Sequence, residues 1–300
     1  MANIRIGTRA SELAVWQAKK VQEKLKKINI SSSIVPISSS GDKDLTKPIY
    51  ELGITGVFTK EIDIALLNKE IDIAVHSLKD VPTILPLGVR QSAVLKRGLE
   101  KDVIIINKSL SDVSNTIATG SLRRKAQWLS KYNSDNVVSI RGNVNTRLKK
   151  LKESDWNGTI MAKAGLDRLN LLPKNYLDLD WMIPAPAQGA ISIQNLVEND
   201  VITEIIKKIN HAETEICTKI ERDFLNKLEG GCTAPIGAHA KIINNYIEFS
   251  GIILSIDGRD KIEIRETEKI ENNLNIGIKF AEKIIAMGGN KILNSLKNEI

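Results

Sequence analysis

The sequence is poor in the residues that build disulfide frameworks, metal sites and base-stacking surfaces. Its 300 residues include only two cysteines and three histidines, with no C-x-x-C pair. A disulfide framework is therefore excluded, and we expect no metal site. Aromatic residues make up 4% of the chain, which argues against a surface that stacks nucleic-acid bases.

Long apolar runs are also missing. No stretch approaches the ~18 consecutive apolar residues of a transmembrane helix, and the N-terminal MANIRIGTRASELA lacks the basic-then-apolar order of a signal peptide. We therefore expect no membrane partner and a cytoplasmic location. The apolar fraction of 42% is sufficient for buried cores, and the length allows two or three domains.

Positive charge is concentrated in one segment. The net charge is +7, and residues 119–152 contain nine lysines and arginines against one acid, Asp135. An anion is the obvious partner, although most lysine-rich segments are simply solvated surfaces.

Short apolar segments alternate with helical patterns over the first two thirds of the chain. Strands are predicted at residues 4–8, 71–77, 116–120, 137–142 and 158–165. Repeated strand–helix units predict parallel α/β sheets that bind ligands at the carboxyl ends of the strands.

The last third has a different pattern. A long helix is predicted over residues 203–228, followed by hairpins at 244–245 and 257–258 and by a helix that stops at 288–289. This pattern indicates a small α+β domain.

Arginines occur where helix electrostatics disfavour them. Ser121 is a plausible N-cap, which places Arg123 and Arg124 in the first helical turn, where each cation costs roughly 0.3–1 kcal/mol. An anion bound at the helix start would remove this cost.

Two further strand ends repeat this arrangement. Arg9 and Ser11 follow the first strand, and Arg141 and Arg147 flank a turn at Gly142. Because arginine binds carboxylates and phosphates bidentately, these sites together predict a ligand with several anionic groups, held between domains.

Two other residues suggest chemistry. Asp80 follows a predicted buried strand beside Lys79 and either serves as a salt-bridge partner or stabilises a developing cation. Cys232 stands in LEGGCTAPIGAHA, directly after two glycines, where a thiol is reachable, whereas Cys217 lies in a helical pattern typical of packing.

Six segments occur in this order along the chain: HSLKDVP, TGSLRRKAQ, RGNVNTRL, AGLDRL, AQGA and EGGC. In these segments and in their order, the chain resembles the porphobilinogen deaminase (hydroxymethylbilane synthase) family over nearly its whole length. The resemblance implies a transferase of tetrapyrrole and heme biosynthesis. Such an enzyme deaminates porphobilinogen and polymerises it head to tail on a dipyrromethane cofactor. The cofactor is bound to Cys232 by a thioether, and hydrolysis releases the linear tetrapyrrole hydroxymethylbilane.

The resemblance also implies roles for individual residues. Asp80 would bind pyrrole N–H groups and stabilise the cation formed when ammonia leaves. The cofactor would be held by Ser77, Lys79, Thr119, Ser121, Arg123, Arg124 and Gln188. Porphobilinogen and the growing chain would be bound by Arg9, Ser11, Gln17, Arg141, Arg147 and Arg168. No metal is implied.

The implied fold is α/β, with two doubly wound domains like periplasmic binding proteins and a small C-terminal α+β domain. We expect domain 1 at residues 1–97 and 189–208, domain 2 at 98–188 and domain 3 at 209–300, with residues 190–194 as a strand returning to domain 1. We expect a monomer.

Several positions depart from the family pattern. Ala118 and Gly120 replace a glycine and a serine, so a serine hydroxyl contact is lost. In a predicted active-site lid at residues 43–60, Glu51 and Thr55 stand where lysine is frequent. Ala187 replaces a glycine and is expected to stiffen the domain hinge.

Two other functions fit parts of the sequence. An anion receptor would use the same arginines, but it needs neither a tethering thiol at Cys232 nor a carboxylate at Asp80. A nucleic-acid binder would use the basic segment, but the basic residues follow strand ends and do not form an extended stacking surface.

Overall fold

The computed structural model describes residues 3–38, 59–111, 113–228, 234–272 and 274–299. The described residues divide into two compact units. The first unit contains those of residues 1–98 and 189–215, and the second contains those of 99–188 and 216–300. The three domain boundaries expected from the sequence stay a prediction.

The strands and helices alternate through most of the chain. Up to residue 131 they are β1 Ile4–Arg9, α1 Glu12–Lys27, β2 Ser32–Ile37, α2 Lys60–Leu67, β3 Ile73–Ser77, β4 Val89–Val94, β5 Asp102–Ile106, β6 Thr116–Ala118 and α3 Leu122–Lys131. The next elements are β7 Asn136–Val138, α4 Val144–Lys152, β8 Gly158–Ala162, α5 Lys163–Arg168, β9 Tyr176–Asp178, β10 Ile191–Leu196, α6 Asp200–Lys207 and α7 Ala212–Lys227. The last are β11 Ile236–Ile243, β12 Tyr246–Leu254, β13 Lys261–Lys269, α8 Ile276–Ile284 and α9 Asn290–Glu299.

The first unit is built on a five-stranded sheet of order β2-β1-β3-β10-β4. β1 pairs in parallel with β2 and β3, whereas β10 runs antiparallel between β3 and β4. Helix α1 covers one face because Ala18, Val21 and Leu25, spaced three and four residues apart, are fully buried. The predicted return of the chain at residues 190–194 is confirmed by β10.

The second unit contains a sheet of order β7-β6-β8-β5-β9. β6 is parallel to β7 and β8, but β5 is antiparallel to β8 and β9. The sheets are therefore mixed, which corrects the expectation of parallel sheets. Two neighbouring strands can be parallel only if a crossover segment connects them. β10 instead enters its sheet from residues 99–188, and it runs antiparallel to both of its neighbours. The α/β fold class is confirmed.

The C-terminal part of the second unit is an antiparallel sheet of order β11-β12-β13. Its first hairpin turns at Asn244 and Asn245, whose φ angles of 48° and 64° suit a type I′ turn. The buried ring of Phe249 lies 5.1 Å from that of Phe224 and 4.7 Å from that of Phe280, measured between centroids. These contacts join α7 and α8 to the sheet, as expected for an α+β domain.

Two predicted helices differ from those observed. The prediction of a single helix over residues 203–228 is wrong, because the structure has two helices there, α6 and α7. They are separated where Asn210 and His211 form hydrogen bonds of 2.8 and 2.9 Å to the backbone of Val94. The predicted stop at 288–289 is a kink, where Gly288 has a φ of 99° and α9 follows. No helix in the described ranges is long and apolar enough to cross a membrane.

Candidate active site

A pocket in the first unit lies at the carboxyl ends of β1 and β3. It is lined by five residues predicted to act in the site, namely Arg9, Ser11, Gln17, Ser77 and Asp80, and by His76. The pocket forms because both parallel strands end beside the first turns of α1. Segments far apart in sequence therefore supply one set of polar side chains.

The pocket wall is fixed by a hydrogen bond between α1 and β3. The buried side chain of Gln17 donates from Nε2 to Oγ of Ser77 at 2.7 Å. Asp80 lies in a short 3-10 turn, Leu78–Asp80, directly after β3. Asp80 and the neighbouring Lys79 are both partly buried.

His76 is a residue of this pocket that no sequence pattern identified. It is 5% exposed, and burial together with the charge of Arg9 lowers the pKa of its imidazole to about 4. The ring is therefore neutral at physiological pH. It directly precedes Ser77, a predicted site residue, in the segment HSLKDVP, and this position could have identified it.

The second unit contains a buried cluster of charges at the start of α3. The terminal nitrogens of Arg123 and Arg124 each lie 2.8 Å from an oxygen of Asp102, which is fully buried. Burial alone would raise the pKa of Asp102. However, the charges of the two arginines, with hydrogen bonds from Arg123 and Gln188, hold that pKa well below its usual range. The protein thus supplies part of the negative charge that the sequence indicated at this helix start.

The remaining hydrogen bonds of this cluster come from neighbouring backbone and amide groups. Arg123 donates to the carbonyl oxygen of Ile183 at 2.8 Å, and Arg124 donates to that of Ile160 at 3.2 Å. Gln188 donates to Asp102 at 3.0 Å and accepts from Arg124 at 3.4 Å. Gln188 therefore contacts Arg124 and Asp102 directly.

The helix start itself was predicted correctly. Ser121 is the N-cap of α3, and its Oγ accepts from the backbone N–H of Arg124 at 3.4 Å. Thr119 is buried, and its Oγ1 accepts from the backbone N–H of Ser121 at 3.3 Å. Both hydroxyls thus order the turn that carries the two arginines.

The other predicted arginines of the second unit are Arg141 and Arg147, on either side of the turn at Gly142, and Arg168. Arg141 is buried after β7, and Arg147 in α4 donates from Nε to the carbonyl oxygen of Gly142 at 2.7 Å. Gly142 has a φ of 118°, so the predicted tight turn is confirmed. Burial lowers the pKa of Arg168, at the end of α5, to about 10, against the charge of Asp167.

Some predicted site residues lie outside the described residues. These are Cys232 with the EGGC segment at 229–232, and the predicted lid at 43–60 with Glu51 and Thr55, of which only residues 59 and 60 are described. Cys217 is described, and it is buried in α7, as expected for a packing residue.

Three of the departures from the family pattern lie among the described residues. A Cβ atom at Gly120 would lie 2.6 Å from the carbonyl oxygen of Ile140, so a serine does not fit without backbone movement. Ala118 is fully buried in β6. Ala187 has a φ of 62°, a conformation that favours glycine, and its N–H donates to a buried carboxylate oxygen of Glu221 at 2.6 Å. Its effect on a hinge stays a prediction.

The chain was also compared with solved structures. The periplasmic VFT2 domain of BvgS from Bordetella pertussis superposes with a TM-score of 0.42 at 10% identity, covering 69% of this chain and 86% of that one. A likeness at this level carries no conclusion about the fold or the site.

Sequence comparisons are far more specific. Residues 4–204 match the model described as "Porphobilinogen deaminase, dipyromethane cofactor binding domain", and residues 215–286 match "Porphobilinogen deaminase, C-terminal domain". The porphobilinogen deaminases of Desulforamulus reducens and Chloroherpeton thalassium are each 39% identical, covering 98% of this chain and 98% of their own. Since both matches extend over nearly the full length, the chain belongs to the porphobilinogen deaminase family.

Proposed function

We propose that the chain deaminates porphobilinogen, joins the pyrroles head to tail on a dipyrromethane bound to Cys232, and releases hydroxymethylbilane by hydrolysis. Its family makes it a transferase with a dipyrromethane cofactor-binding domain. The observation that carries the proposal is the pocket of the first unit, which combines the cation of Arg9 with the carboxylate of Asp80. The expected monomeric state and cytoplasmic location stay predictions.

The cluster at Asp102 suits the carboxylates of the cofactor. Two guanidinium groups face one carboxylate there, so a positive charge is left over. The Nε of Arg123 is buried with no hydrogen-bond partner among the described residues. A buried donor without an acceptor costs about 1–3 kcal/mol, and a ligand carboxylate would satisfy it.

We assign cofactor binding to residues of this cluster, to the two hydroxyls at the start of α3 and, from the first unit, to two residues at the end of β3. The assigned residues are Ser77, Lys79, Thr119, Ser121, Arg123, Arg124 and Gln188. When bound, the cofactor supplies the nucleophilic pyrrole carbon on which the chain is extended. Gln188 acts through the guanidinium of Arg124, which it contacts at 3.4 Å.

We assign the binding of substrate carboxylates to the remaining cations and polar groups, which are Arg9, Ser11, Gln17, Arg141, Arg147 and Arg168. Asp80 has a different task, because loss of ammonia leaves a positive charge on the pyrrole. Guanidinium groups such as that of Arg9 disfavour this charge, so a preorganised carboxylate in the same pocket stabilises the transition state.

Intact-mass analysis combined with turnover tests the proposal. The purified enzyme should be heavier than its sequence by two porphobilinogens less two ammonias, with the adduct on the Cys232 peptide. It should also release ammonia from added porphobilinogen. Cys232→Ser should abolish both, and the matched Cys217→Ser should keep both. An anion receptor would bind porphobilinogen without consuming it, and an adduct on Cys217 would refute the assignment.

A further inference from the structure

The pocket of the first unit contains a buried histidine to which the proposed function gives no task. His76, in β3, is 5% exposed and lines the pocket with Arg9 and Asp80. The other two polar side chains of β3 and α1 at this wall, Ser77 and Gln17, bond to each other at 2.7 Å. Ser77 therefore faces α1, whereas His76, the preceding residue of β3, projects from the opposite face of the sheet, where the charge of Arg9 acts on it.

The surroundings of His76 are polar, and two of the buried side chains there contain atoms without a described hydrogen-bond partner. Its Nε2 has no hydrogen-bond partner within the described part of the chain. Ser192 lies directly opposite it on β10, and Gln194, opposite Ala74, projects from the same face of the sheet. The amide nitrogen and oxygen of Gln194 are also buried without described partners.

Unpaired polar atoms at such depth are rare in native proteins, and each requires water or a ligand. A histidine kept only for packing would not need Gln194 as a second unpaired neighbour. The unpaired atoms of His76 and Gln194 therefore indicate a buried polar site beside the pocket that a ligand or a water molecule would complete.

The protonation state limits what the imidazole can do. Burial and the charge of Arg9 lower the pKa of His76 to about 4, so the ring is neutral and offers one acceptor nitrogen and one N–H. It is therefore not an imidazolium acid, but it is able to accept a hydrogen bond from a cation without taking its proton.

We propose that His76 accepts a hydrogen bond from the aminomethyl group of porphobilinogen and orients its carbon–nitrogen bond for the departure of ammonia. This inference rests on the proposed function. Arg9 complements a carboxylate and Asp80 complements the pyrrole N–H, and the aminomethyl group needs a partner of its own. The imidazole of His76 offers an acceptor for it in the same pocket.

The bond changes during deamination limit how basic the group that accepts this hydrogen bond can be. The amine leaves from its protonated form: the carbon–nitrogen bond breaks, the electron pair stays on nitrogen, and ammonia departs. The positive charge remains on the methylene-pyrrole, where Asp80 faces it. A base as strong as the amine itself would take the proton and leave an unprotonated amine, which is a much poorer leaving group, whereas an imidazole is too weak a base to do so.

The test compares His76→Phe and His76→Gln in cofactor-loaded enzyme, with His239→Gln as the control. His239 is partly buried in β11 of the second unit. A hydrogen bond to a charged group contributes about 1.5–3 kcal/mol, so His76→Phe should slow single-turnover ammonia release about 10- to 100-fold. His76→Gln, which keeps a neutral acceptor, should recover most of the rate, and the control should match the wild type.

A second substrate separates this role from a structural one. A porphobilinogen analogue with a hydroxymethyl group in place of the aminomethyl group loses water, so the ammonium contact is absent. His76→Phe should slow the analogue much less than porphobilinogen. Equal slowing of both substrates would overturn the inference. A lowered melting temperature of His76→Phe together with a normal rate in its folded fraction would overturn it as well. Because the wild type still releases ammonia in these cases, the proposed function would stand.

Discussion

Oδ1 of Asp102 lies 3.0 Å from Nε and 2.8 Å from Nη2 of Arg124, so one carboxylate oxygen contacts two nitrogens of the same guanidinium. The other oxygen lies 2.8 Å from Arg123. All three side chains are almost completely buried. The cluster is thus ordered by the protein itself before any anionic ligand contributes.

Asp102→Asn should destabilise the chain strongly. Removing one member of a buried ion pair leaves uncompensated charge, which costs about 3–5 kcal/mol, and here both Arg123 and Arg124 lose their anion. Urea unfolding at pH 7 measures the loss. The control is Asp180→Asn, because the exposed pair of Asp180 with Lys101 should contribute less than about 1 kcal/mol. Equal stability of the two variants would show that the buried pair contributes little.

The proposed division between cofactor and substrate residues predicts different defects in two arginine variants. Arg124→Lys cannot reproduce the fork that meets Asp102, so it should reduce the fraction of enzyme that carries the dipyrromethane adduct. Arg9→Lys should leave the adduct intact and slow elongation. The control is Arg259→Lys, at an exposed position of the β12–β13 turn. Intact-mass spectra before and after porphobilinogen addition distinguish these results, and identical spectra for both variants would refute the division.

Local signals predicted the local structure well. The Ser121 cap, the turn at Gly142 and the hairpin at Asn244–Asn245 depend on residues within a few positions of one another, and their chemistry is visible in the sequence. The fold class followed from the alternation of strands and helices. The anionic ligand that the arginines at the start of α3 indicated stays a prediction, because the negative charge observed there is that of Asp102.

Partners that are distant in the chain were not predictable. Asp102 opens an apolar strand and meets Arg123 only through the tertiary fold, so no local pattern marks it as their counter-ion. His76 appears in sequence as one more residue of a buried strand. The break at Asn210 depends on its bond to Val94, which belongs to another element. Cys232 lies outside the described residues, and its role stays a prediction.

The burial of Asp63 predicts that the free energy of unfolding depends on pH. Burial raises its pKa to about 6, against a hydrogen bond with Thr59. Above pH 6 the folded chain contains a buried carboxylate that the unfolded chain exposes to water, so this penalty disappears as the pH falls from about 6 towards 4. Asp63→Asn should therefore be more stable than the wild type by about 1–3 kcal/mol at pH 8 and nearly equal to it at pH 4. Denaturant unfolding at both pH values measures this, and a difference independent of pH would contradict the assignment.

Asp80→Asn is the most direct test of the proposed chemistry. The carboxylate lines the pocket beside Arg9 and the neutral His76, so it is the group there that can oppose the positive charge formed when ammonia leaves. Asparagine keeps the shape and part of the hydrogen bonding but removes the charge. Positioned acid–base groups contribute about 10²–10⁴-fold, and turnover should fall by that factor. Folding should survive, because Asp80 is only partly buried.

The measurement needs turnover, melting temperature and adduct mass on the same Asp80→Asn preparation. Asp155→Asn is the matched control, since Asp155 is fully exposed and pairs with Lys108 at 2.6 Å. It should change none of the three quantities. Near-normal turnover in a folded, cofactor-loaded Asp80→Asn enzyme would reduce Asp80 to a structural role. The positive charge on the pyrrole would then require a stabilising group other than this carboxylate.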